Sequence, residues 1–63
     1  MESESVKGAV KGFVLLINIG WDVETALTYM YSEVCYEIDS NKFISLCKKE
    51  FIKDTIKGIA KSN

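Results

Sequence analysis

The sequence predicts an all-α fold, a small three-helix bundle built on an antiparallel helix hairpin. Apolar residues recur every three or four positions along three segments, the signature of amphipathic helices. Each segment is bounded by a capping or turn residue, and the chain has no proline to interrupt one. At 63 residues and 48% apolar, the chain is expected to form one domain, 1–63. A domain of this size buries only roughly 60% of its unfolded surface. Such a monomer is marginal, so a homodimer is the expected state.

The first helix is expected over 5–19, after a polar lead that ends in Ser5 as its cap. Val6, Ala9, Val10, Phe13, Val14 and Ile17 form a broad apolar stripe, with Lys7 and Lys11 opposite. Gly8 and Gly12 share a face one turn apart and cost up to about 1 kcal/mol each relative to alanine. They are read as tolerated, the alternative being close approach of another backbone. Phe13 to Ile19 would also suit a buried strand, but the chain offers no second strand to pair with it. Leu15 and Ile19 lie off the stripe. Gly20 is the expected left-handed stop. Trp21 beyond it is expected to fold back on the helix or staple onto Ala26, with an exposed binding anchor as the alternative.

The second helix is expected over 22–38. Asp22 is the N-cap and Glu24 adds negative charge at the positive end of the dipole. Val23, Leu27, Met30, Val34 and Ile38 form its stripe, flanked by Ala26 and Tyr31. Asp39, Ser40 and Asn41 favour a turn. A third helix is then expected over 41–60, capped by Asn41 or Ser40, with a stripe of Ile44, Cys47, Phe51, Thr55 and Ile59 and with Phe43 and Ile52 at its edges. So short a connection implies an antiparallel hairpin, in which Val34 meets Cys47, Tyr31 meets Phe51 and Leu27 meets Thr55.

The ionisable residues are eight lysines and nine acids, with no arginine and no histidine, for a net charge of -1. No imidazole base and no bidentate guanidinium fork is therefore available, which argues against an enzyme and against a reader of base sequence. Cys35 and Cys47 fall almost opposite one another in the expected hairpin. They are read as reduced thiols, a disulfide being the lesser alternative. Two cysteines without histidine do not make a metal site, so no cofactor and no metal is expected. Glu33, Glu37 and Asp39 read as a solvated face, not as an acid–base pair. The polar start MESESVK lacks a signal peptide's pattern, and no apolar run is long enough to span a membrane. A cytoplasmic protein without a membrane partner is expected. Lysine and isoleucine without arginine fit an AT-rich genome, such as that of a phage or a low-GC bacterium.

The run Leu15-Leu16-Ile17-Asn18-Ile19-Gly20-Trp21, followed by Ala26-Leu27, resembles the start of a ubiquitin-associated domain. In that family of three-helix bundles, the apolar-Gly-aromatic loop helps bind ubiquitin. The resemblance implies such a role for Ile19, Gly20 and Trp21. It covers only this stretch, and the second helix expected here is longer than that family's. The likeness is therefore not adopted as an assignment.

The leading functional expectation is a non-enzymatic regulatory or interaction module that binds a larger protein. Leu15, Ile19, Tyr29 and Tyr36 are apolar or aromatic residues left over by the main stripes. They are expected in a partner or dimer interface with Trp21 at its rim. The competing account buries Tyr29 and Tyr36 under helix one within the same chain. A nucleic-acid binder is the alternative function, with Lys42, Lys49, Lys53 and Lys57 of helix three contacting phosphates. A structural oligomer subunit is a third.

Overall fold

The computed structural model describes residues 3–61, and side chains up to residue 58. It is a three-helix bundle: α1 (Glu4–Asn18), α2 (Val23–Val34) and α3 (Ser40–Lys61), with no strand among the described residues. The segment Phe13 to Asn18 is thus helical. Each helix is expected within a residue at its start, but two caps and one end differ.

The cap of α1 is Ser3 instead of Ser5. Its hydroxyl oxygen accepts from the Val6 amide at 3.2 Å, while its O–H donates to the Glu37 carboxylate at 2.7 Å. That second bond ties the start of α1 to the turn between α2 and α3. At the other end the predicted glycine stop is present. Gly20 takes φ of 109°, its amide donates to the Ile17 carbonyl, and the Trp21 amide donates to the Leu16 carbonyl at 2.9 Å. This pair of bonds satisfies carbonyls that the helix end leaves free. Asp22 caps α2 as predicted, accepting from the Thr25 amide at 3.4 Å.

α2 stops at Val34, four residues short of the expected Ile38. The Val34 carbonyl accepts from both Glu37 and Ile38 amides, closing a turn in place of another helical repeat. The Tyr31 hydroxyl spans that turn and donates to the Ile38 carbonyl at 2.8 Å. Asp39 then caps α3: its carboxylate accepts from the Asn41 amide at 3.0 Å, displacing Asn41 and Ser40 from the role.

The core is arranged around α1. Its predicted stripe is buried through Val6, Ala9, Val10, Phe13 and Val14, with Ile17 half-buried. α1 packs against both other helices, whereas α2 and α3 touch each other least. α1 and α3 run parallel: Ser3 lies against Glu37 just before α3 begins, and the Asn18 side-chain amide reaches Asp54 far along it.

This arrangement corrects the expected register of α2 against α3. Tyr31 packs on Phe43, with ring centroids 5.5 Å apart, and not on Phe51. The buried face of α3 consists of Phe43 and Cys47, with Leu46 half-buried beside them. Phe51 and Thr55 are exposed, and the side chain of Ile59 lies outside the described residues. In α2, Ala26 and Val34 are fully buried and Val23 is exposed. Phe43 has no exposed surface at all, and full burial of such a ring contributes roughly 1.5–3 kcal/mol.

Met30 reaches across from α2 to Gly12. A side chain at Gly12 would place its Cβ 2.5 Å from the Met30 methyl, while Gly8 faces open space. Gly12 therefore serves the close approach of a neighbouring side chain, and Gly8 is merely tolerated.

Candidate protein-interaction surface

The turn that ends α1 delivers Trp21 to the start of α2, where its ring meets Tyr29 two turns along. The rings stand edge to face, with centroids 5.3 Å apart and planes at 71°. That geometry sets the positive edge of one ring on the negative face of the other. The pair remains open to solvent, Trp21 at 37% and Tyr29 at 53% of full exposure. About two-thirds of the Trp21 surface is covered, and Ala26, its expected staple partner, is fully buried.

The other predicted interface residues are exposed as well, but they do not all share this patch. Tyr36, at 81% exposure, sits on the turn after α2. It is separated from Trp21 by the 12 residues of that helix, a span of about 18 Å. Leu15 borders a cleft between α1 and α3 that also holds Val14, Asn18 and Asp54. Ile19 is the exposed C-cap of α1, just before the turn. The account in which helix one buries Tyr29 and Tyr36 is overturned, because both rings face solvent.

Val23 and Phe51, expected on the buried stripes, and Ile52, expected at the edge of one, are exposed, as is Ile56, the last three on the distal part of α3. Past Asp54, where α1 ends alongside it, α3 continues to Lys61, about two further turns. The signal was present in the spacing of Ile52 and Ile56, one turn apart on a face turned away from Phe43 and Cys47.

Charge is segregated along the chain. Residues 20–39 hold five acids and no lysine, while 40–61 hold six lysines against Glu50 and Asp54. Lys42, Lys49, Lys53 and Lys57 are all exposed and follow one face of α3. Lys49 and Lys53 also face Lys7 and Lys11 of α1 across a groove.

Both cysteines are free. Cys35 is exposed on the turn beside Tyr36, and Cys47 is in the core, where burial pushes its thiol up to about 11. A neutral, enclosed thiol is a poor nucleophile. No group of three or more His, Cys, Asp or Glu side chains placed to hold a metal occurs among the described residues. None of the described helices is long and apolar enough to cross a membrane.

No family model, no curated protein and no solved structure matches the chain, and the short likeness to a ubiquitin-associated domain gains no support from these comparisons.

Proposed function

We propose that the chain is a small, non-enzymatic interaction module of the cytoplasm that binds and modulates a larger protein. The observation that carries this reading is the Trp21–Tyr29 pair, two large rings held against each other in a fixed geometry, with about a third of Trp21 and half of Tyr29 open to solvent. Aromatic residues of this kind lose little conformational entropy on binding and dominate interface hot spots. Asp22, next to Trp21 in the chain and exposed, supplies an acidic neighbour, which favours a partner with an apolar pocket bordered by basic residues.

The test is a capture experiment with the tagged chain and with its Trp21→Ala/Tyr29→Ala variant, whose helical content is checked by circular dichroism. A protein retained by the natural chain and lost by the folded variant supports the proposal, and titration with that purified protein gives the affinity. Identical retention by both chains overturns it.

The lysine row on α3 favours a second reading, binding to nucleic-acid phosphates. Against it stand Glu50 within the same helix and the absence of arginine. A steep linear fall of log affinity with log salt would mark phosphate binding, whereas docking of the aromatic pair would change little.

A further inference from the structure

Beyond the aromatic pair, the molecule carries a groove and a projection of opposite chemistry. Lys7 and Lys11 on α1 face Lys49 and Lys53 on α3 across a groove between the two parallel helices. Val10, buried, and Leu46, half-buried, contribute its apolar walls, and Glu50 is the single carboxylate among the lining residues. Four ammonium groups around an apolar strip suit a ligand that is acidic at its rim and apolar at its centre. A bare polyanion would leave the strip uncovered and would meet Glu50.

The turn after α2 has that chemistry. Tyr36 projects from it at 81% exposure, and Glu33, Glu37 and Asp39 around it are all exposed. No lysine occurs anywhere in residues 20–39.

We infer that the chain self-associates by seating the Tyr36 turn of one copy in the Lys7/Lys11/Lys49/Lys53 groove of a second copy. The ring covers the Val10–Leu46 strip and the carboxylates of Glu33 and Glu37 face the four ammonium groups. Because different patches meet, the contact is either made twice in a reciprocal, two-fold pair or continues head to tail as a heterologous one. A standard interface takes roughly 800 Å² from each copy, about a sixth of the 4716 Å² surface of this chain. The inference is independent of the Trp21–Tyr29 reading, which uses another face.

Charge exchange tests it. Sedimentation of the natural chain should give a mass that rises with concentration above 7.1 kDa and falls back as salt is added. Lys49→Glu/Lys53→Glu and Glu33→Lys/Glu37→Lys should each weaken association by roughly tenfold or more, since like charges then meet. An equimolar mixture of the two variants should associate again, because each restores the opposite charge the other lacks. Alkylation of Cys35, next to Tyr36, should slow as the natural chain associates. A concentration-independent 7.1 kDa species overturns the inference, as does association that neither exchange weakens or that mixing fails to restore. Binding of a DNA duplex by the groove lysines, without self-association, also overturns it. In each of these cases, loss of a captured protein on Trp21→Ala/Tyr29→Ala would still stand by itself.

Discussion

Replacing Phe43 and Phe51 in turn separates the observed packing of α3 from the one its periodicity suggests. Phe43 is fully enclosed between the helices with Tyr31 against its ring, whereas Phe51 is 36% exposed. Truncating an enclosed phenylalanine to alanine costs about 3–5 kcal/mol, from lost transfer energy and the cavity left behind. A domain of 63 residues has only about 3–9 kcal/mol of stability in all. Phe43→Ala is therefore expected to leave the chain largely unfolded, and Phe43→Leu, which fills part of the space, to cost about 1.5 kcal/mol. Phe51→Ala removes a ring about two-thirds covered and should cost about 1–2 kcal/mol, with no enclosed cavity. Circular dichroism without denaturant shows the loss of structure in Phe43→Ala, and urea unfolding measures the other two. If Phe51→Ala costs as much as Phe43→Ala, the bundle has the Tyr31–Phe51 register and the packing described here is wrong.

The remaining predictions concern glycines and a thiol. Gly8→Ala should stabilise the chain by about 0.5–1 kcal/mol in the same assay, since the site is open and helical. Gly12→Ala should gain less, because the Met30 methyl must move aside. Gly20→Ala should destabilise by about 1–2 kcal/mol, as its backbone sits at φ of 109°. Cys47 ionises near 11 in the folded chain against 9.0 for an ordinary thiol. Its contribution is therefore complete below pH 9 and is lost as pH rises towards 11. The loss is about 2–3 kcal/mol if the thiol alone titrates, and it should be missing from the pH profile of Cys47→Ala.

The parts of the fold that local chemistry decides were legible in the sequence. The α1 stripe from Val6 to Val14, the Asp22 cap and the Gly20 stop all depend on residues within one or two turns. The exposure of Leu15, Ile19, Tyr29 and Tyr36 followed from their positions off the stripes. The buried face of α3 did not follow. Phe43, Cys47 and Glu50 fit a helical period as well as Ile44, Cys47 and Phe51 do, and the choice is made by α1, which is distant in sequence. The end of α2 was hidden for a similar reason. Ile38 continues the apolar period of Val34, but the chain turns there under the Tyr31 hydroxyl. The separation of Tyr36 from Trp21 did follow from helix length alone, since 15 residues of helix span about 22 Å.

Collisional quenching of Trp21 fluorescence tests the central proposal most directly, because the chain has a single tryptophan. With acrylamide as quencher, the free chain should be readily quenched, and its complex with the captured protein should be protected while its helical content is unchanged. An indole already shielded in the free folded chain, or equally quenchable in the complex, would contradict a binding surface built on Trp21 and Tyr29.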